Sequence, residues 1–168
     1  MKKVAPTALI KDFIKHKLTL ALAESCTCGL AAAQLAPAEG VSEVLLGSVV
    51  TYHTDAKQQL LGVKPATLNT YSAESQQTTN EMVLGLHKNL PKADVCVAVT
   101  GLCGPGQSET PDKPVGTVFV TILFLEHAHE YRQQFDGSSD AIRQQATEFI
   151  YQKLAELLDR HQVAPASA

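Results

Sequence analysis

The sequence predicts an α/β fold, a three-layer α/β/α sandwich around a mixed, partly parallel sheet. Three observations carry that expectation. Helical and strand patterns alternate over residues 7–100, as they do when helices cover a sheet. The run Leu18-Thr19-Leu20-Ala21-Leu22-Ala23 is continuously apolar, as a strand covered on both faces is. Two further strand patterns then follow one another directly and pair as a hairpin.

The elements follow in order. Residues 7–16 read as a short amphipathic helix, 18–23 as a strand, and 26–36 as a helix ended by Pro37. Residues 43–52 read as a second buried strand. Residues 54–61 look helical, with Thr54 as cap and Gly62 as stop. Ser72 caps a longer helix over 73–90, whose stripe of Met82, Val83, Leu86 and Leu90 is core packing. Residues 94–100 form a third strand, 101–115 a Gly/Pro loop and 115–125 a fourth strand. A fifth strand over 128–136 turns back through Glu126-His127. A last helix spans 138–160, and the tail 163–168 is frayed.

The 168 residues predict one domain, with a core over about 7–160. At 45% hydrophobic and 18% charged, the chain can bury an ordinary core. A net charge of −3 leaves no basic footprint, and Trp is absent, so nucleic acid is not an expected partner. No apolar run approaches the ~20 residues of a membrane span, and Lys11, Asp12, Lys15 and Lys17 break up any leader-like segment. A cytoplasmic location is expected by default. The four cysteines (Cys26, Cys28, Cys96 and Cys103) are then free thiols. Cys26-Thr27-Cys28 is too tight for zinc spacing, so no metal is expected, even with Cys103 and His53 as further ligands.

Three segments can carry chemistry. Ser25 falls where a strand turns into a helix, beside free backbone N–H groups and a positive dipole end. It reads as a helix cap or as a nucleophile on a sharp turn. Tyr52 ends the second strand, and Lys57 lies in the first turn of the next helix, where a cation is disfavoured. Lys57 is an exposed helix lysine or, desolvated, a base for a serine. Thr100-Gly101-Leu102-Cys103-Gly104-Pro105-Gly106 follows the third strand with a rigid backbone open to an anion or carbonyl. No Gly-Lys-Ser/Thr follows, so it is not a P-loop. If the three strands are parallel, all three segments meet at one sheet edge.

Together with Lys113-Pro114-Val115-Gly116-Thr117-Val118, the segments Ala23-Glu24-Ser25-Cys26-Thr27-Cys28-Gly29-Leu30, Tyr52 to Lys57, Leu60 to Val63 and Val99 to Gly106 resemble the CinA C-terminal domain family. The likeness covers about residues 7–160 in order, in the stand-alone form. It implies deamidation of nicotinamide mononucleotide to nicotinate mononucleotide and ammonia, with no cofactor and no metal. By that resemblance Ser25 is the nucleophile, Lys57 its base, and Tyr52 assists proton transfer or orients Lys57. Cys26, Thr27, Cys28, Gly29, Thr100, Gly101, Gly104, Gly106 and Arg143 bind substrate, and backbone N–H groups among them hold the oxyanion. Glu24 either orients Lys57 or caps its own helix. A small-molecule nucleotide and further copies of the chain are the expected partners.

The chain departs from the family pattern in four places: Cys28 stands for a glycine, Cys103 for a small residue such as alanine, Gln107-Ser108-Glu109 for a stretch richer in glycine, and Ser139 for the arginine of a Gly-x-Arg start to the last helix. A lost charge-assisted contact is worth about 1.5–3 kcal/mol. The departures favour a second reading, a paralogue of the same fold that acts on another carboxamide or only binds a pyridine nucleotide. A third reading is a non-enzymatic competence partner, and the acidic balance disfavours direct DNA binding.

Overall fold

Five strands, β1 (Leu20–Glu24), β2 (Leu45–Val50), β3 (Val95–Gly101), β4 (Thr117–Phe124) and β5 (His127–Gln134), form one sheet in the order β2-β1-β3-β4-β5. β1 runs parallel to β2 and β3; β4 and β5 are antiparallel additions. The sheet is mixed, as expected. The computed structural model describes residues 3–106 and 108–161. Among these, seven helices surround the sheet: α1 (Pro6–His16), α2 (Leu30–Leu35), α3 (Val41–Val44), α4 (Thr54–Leu61), α5 (Pro65–Tyr71), α6 (Gln76–Asn89) and α7 (Ser139–His161).

Alternation along the strands makes two cores. Leu20 and Leu22 of β1, with Val95, Val97 and Val99 of β3, face α1, α2 and α7. Ala21, Ala23, Cys96 and Ala98 face the other way, toward α4 and α6. Parallel register sets Leu20 opposite Val95 and Leu22 opposite Val97, so large side chains stack on one face and small ones on the other. The small face lets α6 lie close. Gly85 of α6 is required there, because a Cβ would sit 1.8 Å from the Leu61 carbonyl oxygen at the end of α4. On the large face, the buried Tyr151 hydroxyl donates to the Ala31 carbonyl at 2.6 Å, tying α7 to α2.

The sequence expectations need several corrections. α2 begins at Leu30, four residues later than expected, because Cys28 (φ 52°) and Gly29 (φ 88°) take left-handed backbone. β2 is an edge strand with Leu46, Ser48 and Val50 exposed, and α3 replaces its expected start. The cap of α4 is His53, whose Nδ1 accepts from Asp55 N at 3.2 Å; Thr54 is already helical. Residues 65–71, unassigned from sequence, form α5 behind Pro65, a residue well suited to a first helical position. The cap of α6 is Ser75, whose Oγ accepts from Thr78 N at 3.2 Å, and Ser72 sits outside at φ 70°. The hairpin turns at Leu125-Glu126, one residue early. The expectation for 163–168 lies outside the described residues.

Candidate active site

Ser25 and Tyr52 follow the ends of β1 and β2, Gly101 is the last residue of β3, and the three strands are mutually parallel. All three segments therefore leave the same edge of the sheet. The ladders run one residue past the strands: Ser25 N donates to the Val99 carbonyl (3.0 Å) and Thr51 N to the Glu24 carbonyl (2.8 Å). Ser25 is clamped from one side and Thr51 from the other.

The Glu24 side chain builds the turn. Its Oε2 accepts from Thr27 Oγ1 (2.7 Å) and Ala31 N (3.1 Å). Its Oε1 accepts from Ala32 N (2.9 Å) and Ser48 Oγ (3.2 Å). At 1% exposure, this carboxylate is stabilised by four donors and by the positive end of α2. The cap expected of Ser25 is corrected accordingly, and of the two alternatives for Glu24 the structure has the helix cap. Ser25 does not cap α2; Glu24 does, and it does not touch Lys57. The helix N–H groups expected beside Ser25 are already engaged.

Lys57 reaches back from α4 into the sheet edge. Its Nζ donates to Ser25 Oγ (2.7 Å), to the Thr51 carbonyl (2.6 Å) and, more weakly, to the Tyr52 carbonyl (3.5 Å). The side chain is 1% exposed, so the exposed-lysine alternative fails. Among the described residues no carboxylate forms an ion pair with it. Burial pulls its pKa down to about 8, against the opposing pull of Glu74 and Cys26. A neutral amine has two N–H groups and one lone pair. The ammonium donates to all three; on losing a proton it keeps its two N–H groups for the carbonyls and presents its lone pair to the Ser25 hydroxyl.

A cavity of about 250 Å³ opens over Ser25. Cys26, Gly101, Gly104 and Gly106 line it, with the Tyr52 ring at its exposed rim. Gly101 has no room for a side chain: a Cβ would lie 2.6 Å from the Thr117 carbonyl oxygen. Thr100 does not line the cavity. It is fully buried, and its hydroxyl donates to the Ala73 carbonyl (3.0 Å), anchoring the lead-in to α6.

Thr27, Cys28, Gly29 and Arg143 lie elsewhere. They line a separate depression of about 470 Å³ with Asp140 and Gln144. The Arg143 guanidinium is 35% exposed and paired with Asp140. The expected binding set thus divides over two depressions on either side of the Ser25 turn. Ser139, the departure at the start of α7, is on the Ser25 side.

Sequence reasoning missed Glu74, which also lines the Ser25 cavity. Its carboxylate accepts from Ser108 Oγ, and its carbonyl accepts from Lys113 Nζ (3.0 Å), which also donates to Ser72 Oγ (2.6 Å). No local pattern marks Glu74, because a misplaced cap put it inside a helix. The sequence marks Lys113 only as part of the Lys113–Val118 motif.

Comparison with known proteins agrees with this architecture. A family model described as the CinA C-terminal domain matches residues 3–158. A CinA-like protein of Thermotoga neapolitana is 42% identical over 144 residues, covering 86% of this chain and 35% of that protein. One from Petrotoga mobilis is 39% identical over 150 residues, covering 89% of this chain and 37% of its own length. The chain thus spans about a third of these relatives, 35% and 37%. A solved CinA superfamily protein from Klebsiella pneumoniae superposes with a TM-score of 0.86 at 32% identity, covering 93% of this chain and 96% of that one. A competence/damage inducible protein from Agrobacterium tumefaciens gives 0.84 at 33%, covering 94% and 98%. By its match to the family model over residues 3–158 and its superposition on a solved CinA superfamily protein, this chain belongs to the CinA C-terminal domain family.

Proposed function

We propose that the chain is an amidohydrolase that converts nicotinamide mononucleotide and water to nicotinate mononucleotide and ammonia by a Ser–Lys mechanism. One observation carries the reading: Lys57, buried and without an ion-pair partner among the described residues, meets Ser25 Oγ at 2.7 Å. A lysine held at a pKa of about 8 is neutral in about a tenth of molecules at pH 7. That fraction accepts the Ser25 proton as Oγ attacks the carboxamide carbon. The resulting ammonium protonates the departing nitrogen, and ammonia leaves an ester on Ser25. Water then attacks that ester with Lys57 again as base, returning the hydroxyl. Backbone N–H groups of Cys26 and Gly104, which both line the cavity, are the oxyanion donors. Tyr52 orients Lys57 through its carbonyl, and its ring offers the pyridinium a cation–π surface. The ribose phosphate extends past the turn toward Arg143, and no metal or cofactor enters. A cytoplasmic homo-oligomer belongs to the same reading. No helix among the described residues is long and apolar enough to cross a membrane, and β2 leaves Leu46 and Val50 exposed on an open edge.

The test is ammonia release from nicotinamide mononucleotide by wild type and Ser25→Ala, with a chelator present. Release that survives chelation and vanishes in the mutant is expected. No release from folded wild type overturns the reading.

Ser139 at the cavity favours one alternative, a paralogue acting on another carboxamide or binding a pyridine nucleotide without turnover. A large gain in activity from Ser139→Arg would select that alternative.

A further inference from the structure

Two cysteines form the cavity wall beside Ser25. β1 and β3 run in parallel register with Glu24 opposite Val99, so the segments carrying Cys26 and Cys103 leave the sheet side by side. The Cys103 thiol lies against Cys26. It donates to the Cys26 carbonyl at 3.8 Å. Cys26 is 5% exposed and Cys103 half-buried; both line the Ser25 cavity, and both are free thiols. The other two cysteines are placed differently. Cys28 is exposed over the Arg143 depression, and Cys96 is buried on the opposite face of the sheet.

We propose that Cys26 and Cys103 are a redox-modification site for a hydroperoxide, closing to a disulfide that staples the Ser25 turn to the loop after β3. The two thiols have unequal parts. The Cys26 hydrogen bond, assisted by the Arg143 charge, pulls the Cys103 thiol down against the effect of burial. The bond to Cys103, reinforced by burial, pushes Cys26 up. Cys103, the more exposed of the two, is therefore the attacking thiolate. Its sulfur takes the distal peroxide oxygen, the O–O bond breaks, and hydroxide (or alkoxide) leaves, giving a sulfenic acid. The Cys26 sulfur then attacks the Cys103 sulfur. The S–S bond forms, the S–O bond breaks, and the departing hydroxyl carries off the Cys26 proton as water. Each peroxide is reduced by two electrons, and two thiols become one disulfide. The bridge fixes the Ser25 turn and the loop after β3 in one arrangement along the cavity wall, so oxidation lowers turnover. That last consequence alone rests on the amidase reading.

The experiment is intact-mass analysis of wild-type protein treated with one equivalent of hydrogen peroxide, followed by non-reducing peptide mapping. A loss of about 2 Da, one cross-linked peptide joining Cys26 to Cys103, and full reversal by dithiothreitol are expected. In Cys26→Ser, Cys103 should instead accumulate added oxygen. Oxidation confined to Cys28, with Cys26 and Cys103 still open to alkylation after denaturation, would overturn the proposal. The mass readout needs no turnover, so it stands or falls apart from the amidase reading. Where ammonia release is measurable, it should fall with the cross-linked fraction and return on reduction.

Discussion

The two depressions beside the Ser25 turn hold similar ingredients in opposite states. In the Arg143 depression the cation sits on one face of α7 and is paired with Asp140, its neighbour on the same helix. In the Ser25 cavity the cation comes from a different element than its hydroxyl partner and has no ion-pair partner among the described residues. The first arrangement is local, half-exposed and worth little, as surface pairs usually are. The second is assembled by three strand ends and depends on the whole sheet edge. Burial without a counter-charge makes a lysine a base; pairing at the surface leaves an arginine merely charged.

Breaking the buried side should give the largest effects. Ser25→Ala and Lys57→Met are each expected to lower kcat for ammonia release by at least about 10³–10⁴-fold with folding intact, checked by initial rates beside circular dichroism. Lys57→Arg should not rescue, because guanidinium does not deprotonate.

Glu24→Ala tests the support beneath that side. It leaves Thr27, Ser48 and two α2 N–H groups without their acceptor. We expect a loss of about 3 kcal/mol in denaturant unfolding, with activity falling as the turn loosens.

The pH response sharpens the contrast further. Lys57 titrates near 8 in the folded chain and near its ordinary ~10.4 unfolded. The neutral amine is the active form, so the rate should rise roughly tenfold per pH unit up to about 8 and then level. Stability has the same sign. Between about 8 and 10.5 the unfolded chain binds the proton that the folded one has lost, so stability increases with pH there. Below 8 the penalty is fully present, on the order of 3 kcal/mol. Lys57→Met should therefore be no less stable than wild type at pH 7 by urea midpoint.

The surface side should respond weakly. Arg143→Ala is expected to raise KM for the mononucleotide about tenfold and leave kcat alone. Cys28→Gly relieves left-handed backbone at φ 52° and should gain up to about 1 kcal/mol.

The strands that build the site were legible because β1 and β3 are covered on both faces and read as unbroken apolar runs. β2 read as buried because Leu45, Leu46, Val49 and Val50 are all apolar, yet alternate ones face solvent at an edge. That Ser25, Tyr52 and Gly101 sit at strand ends is local information; that the strands are parallel is a sheet property, and it joins them. The Ser25 cap failed because two left-handed residues delay α2 and a carboxylate from the preceding strand takes its N–H groups. Thr100 read as a site residue from its motif, but its side chain turns to the Ala73 carbonyl. Glu74 and the division of binding residues between two depressions depend on contacts across the chain, which carry no periodic trace.

Gly85 stands well outside the Ser25 cavity, yet it fixes how far α4 can advance over α6. Lys57 is one helical turn upstream of the Leu61 carbonyl against which Gly85 rests. Any side chain at 85 would act as a wedge, levering α4 outward and drawing the amine from the hydroxyl it meets at 2.7 Å. The basicity of the site is thus partly a matter of clearance, set by a missing methyl group on the far side of the helix.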